Sequence, residues 1–463
     1  MLGNTIAAIS TPPGKGGVAV IRISGEDSLA VASRIFCPKG SKKVADAVPR
    51  VQYFGDILLR GERIDDGLMT YFPAPGSYTG ENTVEISCHG GTLITSMVLE
   101  SALYEGAVLA EPGEFTRRAM MNGKISLTDA EAIGMLLEAR SEGQVRLSQS
   151  GSRTRLNEAI HAIRVSLTSL LSSIFARIDY PDEDLGELGR EDVLAGITDA
   201  LDSVTRLAAT YRTGKAIAEG VRTVICGKPN VGKSTLYNLL VGEDAAIVTD
   251  IPGTTRDVLE KNVTVGDLML ILYDTAGIRE DAADEVERIG VRRSIERIES
   301  AELVLALFDS REPLTDADRA LAEDIKGCSG TRLALLTKHG EREGGTDAEE
   351  LYALGFERVI PVNVHRDPQG ALETITAVLR ELFVEEKLSV GTDAIISTAR
   401  QSAAIARAKE HLELAAEAYR SGLPEDASST DIELALGAIG ELDGRAVSEE
   451  VVADIFAKFC VGK

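Results

Sequence analysis

The sequence contains no tryptophan, and aromatic residues fill only 4% of its 463 positions, so a groove lined with rings is not its main recognition device. Positive charge is also scarce. Lys and Arg number 49 against 73 Asp and Glu, a formal net charge of −24. Coating a nucleic-acid backbone needs concentrated Lys and Arg, so a generally basic surface is excluded while a local patch stays open. No apolar run approaches the roughly 18 residues of a membrane span, and no charged-then-apolar leader opens the chain. Neither a membrane segment nor a secretory signal is therefore expected. The five cysteines (Cys37, Cys88, Cys226, Cys328 and Cys460) show no C-x-x-C spacing, and the five histidines suggest no ligand cluster. Reduced thiols in a cytoplasmic protein fit this set better than a disulfide framework or a metal site.

What is present points to several domains. At about 150 residues each, the length suggests roughly three. Residues 1–124 are rich in Gly and β-branched residues, with turn clusters at Thr11-Pro12-Pro13-Gly14 and Pro73-Ala74-Pro75-Gly76, and read as a mixed α+β domain. From about Leu127 the pattern is helical. Ile160, Ile163, Leu167, Leu170, Leu171, Ile174 and Ile178 form one apolar stripe, which Pro181 and the acidic Asp182-Glu183-Asp184 end. Between Arg222 and Phe383 strands alternate with helices. Val224–Cys226, Leu268–Tyr273, Leu303–Phe308, Leu333–Leu336 and Val359–Val362 are the expected strands of a parallel, doubly wound sheet. After Ile395 the chain is helical again. The expected division is 1–124, 125–219, 220–385 and 386–463, the third stretch being an α/β domain inserted into a helical one. Acidity is uneven: residues 1–124 hold 12 basic and 13 acidic side chains, whereas 220–385 hold 19 and 31.

The strongest chemical signal is Gly227-Lys228-Pro229-Asn230-Val231-Gly232-Lys233-Ser234. It matches G-x-x-x-x-G-K-[ST] and lies between an expected strand and the helical Thr235–Leu240, as a phosphate-binding loop requires. Glycines let backbone N–H groups close around phosphate oxygens, and the helix N-terminus adds a positive dipole end. Lys233 is placed to reach the β- and γ-phosphates and Ser234 to ligate Mg²⁺. Asp274-Thr275-Ala276-Gly277 follows the strand Leu268–Tyr273, where Asp274 can hold Mg²⁺ through water and the Gly277 N–H can sense the γ-phosphate. In Gly253-Thr254-Thr255-Arg256-Asp257, Thr255 is the candidate to complete the Mg²⁺ shell. Phosphoryl transfer needs positioning and charge neutralisation more than covalent chemistry, and these parts supply both. Ras-like enzymes place a water-orienting Gln after this Gly, but the position here is Ile278. Glu287, in Asp284-Glu285-Val286-Glu287-Arg288, is the candidate replacement; an ordinary exposed helix glutamate is the other reading.

These motifs, with several separated blocks, resemble the bacterial and organellar tRNA-modification GTPase family MnmE (TrmE). The blocks run over nearly the whole chain: residues 5–14, 20–25, 77–86, 89–91, 112–119 and 122–124, ending with Phe459-Cys460-Val461-Gly462-Lys463. The resemblance implies a dimerising N-terminal domain that binds formyl-tetrahydrofolate, a helical domain from both flanks, and an inserted Ras-like GTPase domain. It implies a homodimer working with the FAD-dependent partner MnmG, in a heterotetramer, on C5 of the wobble uridine of certain tRNAs. It also implies K⁺-dependent pairing of two GTPase domains, with Asn230, Thr249, Ile251 and Thr254 as K⁺ ligands. The GTP-binding set then comprises Asn230, Val231, Gly232, Lys233, Ser234, Thr235, Thr249, Asp250, Ile251, Pro252, Gly253, Thr254, Thr255, Asp274, Thr275, Ala276, Gly277, Thr337 and Lys338. Glu287 becomes the water-positioning residue. The folate contacts fall on Arg22, Glu85, Lys124 and Lys463. Cys460 matches a family cysteine, for which a nucleophilic role and a buried structural thiol are the alternatives.

The chain departs from the guanine-selecting N-K-x-D element, which reads Thr337-Lys338-His339-Gly340. The Asp that would accept two N–H bonds from guanine is absent, and the usual Ser-Ala loop becomes Val362-Asn363-Val364. Glu341 and Glu343 are the candidate substitutes, with GTP still the expected nucleotide. Two other readings stay open: an assembly GTPase acting on ribosomal RNA, and a folate-binding scaffold with impaired nucleotide specificity.

Overall fold

The computed structural model describes residues 3–40, 43–179, 190–242, 260–273, 300–341, 345–384 and 388–462. The chain divides into two compact units, residues 1–134 with 436–463, and residues 135–435.

In the first unit the strands are β1 (Ile6–Ile9), β2 (Val18–Ser24), β3 (Phe36–Pro38), β4 (Gln52–Leu59), β5 (Glu62–Phe72), β6 (Thr83–His89) and β7 (Val108–Leu109). They form one sheet in the order β3-β4-β5-β6-β2-β1-β7, antiparallel except where β7 joins β1. Helices α1 (Ser28–Ile35) and α2 (Thr92–Tyr104) bury Val31, Ile35, Val98 and Ala102 against Ile21, Ile23, Val84 and Ile86. These strand residues alternate along β2 and β6, the period of two that places them on one face. Helices α3 (Glu114–Met121) and α4 (Leu127–Glu138) follow, and the chain's end returns to them. There Phe456 and Phe459, with rings 5.4 Å apart, cluster with Ala130.

The second unit begins with α5 (Glu142–Ser148), α6 (Ser150–Asp179), α7 (Arg190–Ala209) and α8 (Tyr211–Ala218). Its sheet comprises β8 (Val221–Gly227), β9 (Glu260–Val265), β10 (Leu268–Tyr273), β11 (Leu303–Asp309), β12 (Thr331–Thr337) and β13 (Arg358–Pro361). The order is β13-β12-β11-β8-β10-β9. The five expected strands are all present and pair parallel as expected, while β9, a strand the sequence does not mark, is added at the edge, antiparallel to β10. An antiparallel edge strand is a common variation in doubly wound sheets. Helices α9 (Lys233–Val241), α10 (Asp316–Asp324), α11 (Ala348–Ala353) and α12 (Pro368–Phe383) cover the two faces. Leu303, Leu305 and Leu307 of β11 join one core with Leu236 and Ile375, while Val304, Ala306 and Phe308 join the other with Ala322 and Leu351. Burial of both faces explains why this strand reads as an unbroken apolar run.

The remaining helices are α13 (Ala399–Arg420), α14 (Glu425–Asp443) and α15 (Glu449–Ala457). Although the whole sheet separates them in sequence, α13 packs on α7, and α7 on α6. The α6 stripe from Ile160 to Ile174 is buried as expected, whereas Ile178 is exposed, a correction that follows from its place in the last turn. The expectation that no segment is long and apolar enough to cross a membrane is also corrected. By length and composition Gly151–Asp179 qualifies, and it is this packed helix.

Candidate functional site

Strand β8 lies at the point where the chain turns outward in both directions, to β10 on one side and to β11 on the other. Ligands of open α/β sheets bind at such a switch point, beyond the carboxyl ends of the strands. The loop after β8 is shaped by backbone conformation. Asn230 takes a left-handed φ of 60°, which Asn tolerates better than most residues, and Gly232 a φ of 109°. A Cβ on Gly232 would meet nothing within 4 Å, so glycine is needed here for the turn rather than for space. Helix α9 starts immediately afterwards, presenting first-turn N–H groups that no helical carbonyl satisfies.

Lys233 folds its ammonium over the loop and donates to the carbonyls of Gly227 (2.7 Å) and Lys228 (2.8 Å). Ser234 and Thr235 are exposed on the first turn of α9, and Asn230 is exposed on the loop. A serine hydroxyl and an amide oxygen are hard donors, as Mg²⁺ and K⁺ require. Val231, by contrast, is buried beneath the loop. One fastener carries no signal in the sequence. Lys228 pairs with Asp318 of α10 at 2.6 Å and donates to Thr315 at 3.0 Å. Burial would raise the Asp318 carboxyl, but the Lys228 and Thr315 bonds outweigh it and hold it below the ordinary range.

The base-side elements close on the same loop. Thr337, at the end of β12, places its hydroxyl 2.8 Å from the Val231 carbonyl and 3.0 Å from that of Phe308, so its single proton is shared between loop and strand. Lys338 donates to the Asn230 carbonyl and to Asp309, both at 2.7 Å. Asp309 is a second residue that sequence reasoning misses; no motif marks it. Burial pushes its carboxyl up, yet hydrogen bonds from Arg311 and Lys338 prevail and hold it well below the usual carboxylate range. Thr255, expected to complete the Mg²⁺ shell, Thr249, Ile251 and Thr254, expected to hold K⁺, Asp274 and Glu287, expected to be catalytic, and Ile278 and Glu343 lie outside the described residues. So do Asp250, Pro252, Gly253, Thr275, Ala276, Gly277 and Lys463.

The first unit holds a separate polar site. Arg22 and Glu85 face each other in the β2–β6 register and pair at 2.9 Å. The Arg22 guanidinium also lies 5.4 Å from the Tyr78 ring centre and 5.6 Å from that of Phe115, both within cation–π range. Neither ring is among the residues the sequence marks as candidates. Tyr78 sits in one of the family-like blocks, and its hydroxyl shares a hydrogen bond with Thr116 at 2.9 Å. Lys124 donates to the Pro75 carbonyl at 2.9 Å, so the segment carrying Tyr78 links it to Arg22. The C-terminal tail docks on the same unit. Pro112 and Val461 form an antiparallel bridge, and Ser10 donates to the Gly462 carbonyl at 3.1 Å. A Cβ on Gly462 would come within 2.2 Å of the Ile9 carbonyl, so only glycine fits. Cys460 is exposed, which overturns the buried-thiol alternative. The expectation of no histidine cluster is corrected in part: His89 gathers with Asp65 and Asp66, and its Nδ1 lies 2.7 Å from Asp65.

Comparison with known proteins places both regions in one lineage. Residues 5–124 match the family model of the GTP-binding protein TrmE N-terminus, and residues 127–460 match that of the MnmE helical domain. The tRNA modification GTPase MnmE of Thermotoga petrophila is 38% identical over 460 residues, 99% of this chain and 100% of that protein. Its counterpart in Symbiobacterium thermophilum is 40% identical over 461 residues, 99% of each chain. That of Moorella thermoacetica is 38% identical over 470 residues, the full length of both.

Proposed function

The chain belongs to the MnmE family of tRNA modification GTPases, and from that premise we propose that it couples GTP hydrolysis to modification of the wobble uridine of certain tRNAs. With an FAD-dependent partner, MnmG, it adds a carboxymethylaminomethyl-type group at C5. The observation that carries this reading is the phosphate loop at the switch point, with Lys233 drawn over it and Thr337 and Lys338 fastened to its carbonyls.

In this reading Lys233 and the α9 N-terminus neutralise the β- and γ-phosphates, and Lys338 covers the base. Ser234 and Thr255 hold Mg²⁺, while Asn230, Thr249, Ile251 and Thr254 hold K⁺. These cations supply positive charge beside the transferring phosphoryl group. Asp274 would help to hold Mg²⁺ through water, and Glu287 would orient the attacking water. Arg22, Glu85, Lys124 and Lys463 bind formyl-tetrahydrofolate, a one-carbon carrier. Arg22 and Lys124 meet its carboxylates or carbonyls, and Glu85 accepts from the pterin amino edge. The protein acts in the cytoplasm as a homodimer within a heterotetramer. Its domains are 1–124, then 125–219 joined with 386–463, then the inserted 220–385. The packing of α7 on α13 supports that division.

The deciding experiment is nucleoside analysis of tRNA from a deletion strain. Modified wobble uridine is expected to vanish on deletion and to return with the wild-type gene but not with Asp274→Ala. Unchanged wobble uridines would overturn the proposal and favour an assembly role or a scaffold. Hydrolysis is expected to be faster in K⁺ than in Na⁺.

A further inference from the structure

The position where a guanine-selecting Asp is expected, Gly340, has no side chain, and a Cβ there would meet nothing within 4 Å. One residue on, Glu341 occupies the seam between the two loops that flank this opening. The His339 N–H donates to the Val362 carbonyl at 3.2 Å, and the Asn363 amide donates to the His339 carbonyl at 3.0 Å, stitching the loop after β12 to the loop after β13. The same amide donates to Glu341 Oε1 at 3.2 Å, while Arg311 donates to Oε2 at 3.2 Å. Arg311 is itself held by Asp309, which pairs with Lys338. Lys338 and Thr337 in turn bind the carbonyls of Asn230 and Val231. A continuous run of bonds therefore joins the phosphate loop to one fixed carboxylate.

We infer that Glu341 is the residue that reads the guanine edge, in place of the missing Asp. The inference rests on the nucleotide site proposed above. A carboxylate has about four lone-pair positions; Arg366 also pairs with Oε1 at 3.8 Å, beyond hydrogen-bond distance, so among the described residues the two hydrogen bonds named leave one position open on each oxygen. Those two match the neighbouring N1–H and N2–H donors of guanine. Glu341 is 17% exposed at its side chain, fixed yet open to an incoming ligand. Adenine presents a lone pair at N1 instead, which a carboxylate repels, so the same group accepts one base and rejects the other. With Arg311 and Asn363 holding it, its orientation is set before the base arrives.

Competition binding of GTP, ATP, ITP and XTP to the full-length protein tests this. The wild type is expected to prefer GTP, with ITP weaker because it lacks the amino group. Glu341→Gln keeps an oxygen for Asn363 and is nearly the same size. It is expected to weaken GTP about ten- to a hundredfold, to improve ATP because the repulsion at N1 is relieved, and to improve XTP, whose carbonyl at C2 can accept from the new amide. Adding Gly340→Asp to that variant is expected to restore GTP preference in part, since Gly340 holds a left-handed φ of 78°, which Asp tolerates better than most residues but not without strain. Equal weakening of every nucleotide, or discrimination unaltered from wild type, overturns the inference. Absence of nucleotide binding in the wild type would instead overturn the nucleotide site itself.

Discussion

The phosphate loop of the second unit is built from backbone, and the Arg22 site of the first from side chains. In the loop the groups that meet phosphate are N–H groups and a helix end, shaped by the left-handed Asn230 and Gly232. Among the described residues Lys233 and Lys338 bring full charges onto its carbonyls, and Lys228 within it is paired with Asp318. At the other site unusual backbone only frames the contacts, with Gly113 at φ 67° before the helix of Phe115 and Gly123 at φ 69° before Lys124. Strand register sets Arg22 against Glu85, and the rings of Tyr78 and Phe115 flank the guanidinium. A backbone site tolerates change at most of its side chains and fails at one or two. A side-chain site weakens stepwise as each contact is removed.

Lys233→Ala tests the first half of that contrast and carries the largest expected effect. Removing this cation is expected to slow GTP hydrolysis on the order of 10²- to 10³-fold, as loss of a charge-stabilising donor does elsewhere. Thermal unfolding of the first unit should not change. A hydrolysis rate within a few fold of wild type would show that backbone alone suffices. Arg22→Ala tests the second half. It removes one cation and leaves the partly buried Glu85 without its partner, so formyl-tetrahydrofolate affinity is expected to fall about tenfold or more by calorimetry. Hydrolysis by the other unit should stay as it was. Undiminished affinity would remove Arg22 from the proposed folate contacts.

The same contrast explains which features are legible in the amino-acid order alone. The phosphate loop is one run of eight residues, and its flanking strand and helix are contiguous with it, so local sequence carries the geometry. The buried strands are equally plain: β11 is apolar at every step from Leu303 to Phe308 because both of its faces are covered. Strand β9, Glu-Lys-Asn-Val-Thr-Val, has no such run, since its polar half reads like a loop. Contacts between residues far apart stay hidden. Asp309 meets Lys338, Lys228 meets Asp318, and Phe115 meets Arg22 only because the sheet and its helices are folded. The Arg22–Glu85 pair is reached through family resemblance, not through spacing. Cys460 shows the limit of resemblance too, because a matched position does not disclose whether the thiol faces solvent.

The two units also answer pH from opposite sides, and this gives the smallest expected effect. In the second unit Asp309 is held below its ordinary range, so its contribution is complete above the unfolded value of about 3.9 and is lost only as pH falls through the lower folded value. Its clasp on Lys338 therefore persists through mild acid. In the first unit the hydrogen bond and charge of Asp65 push the exposed His89 upward. A raised histidine contributes fully below its unfolded value of about 6.5 and loses that contribution as pH climbs through the higher folded value. NMR titration of the full chain is expected to place His89 above the ordinary histidine midpoint, and Asp65→Asn to return it there. An ordinary midpoint in the wild type would show that water screens the pair completely.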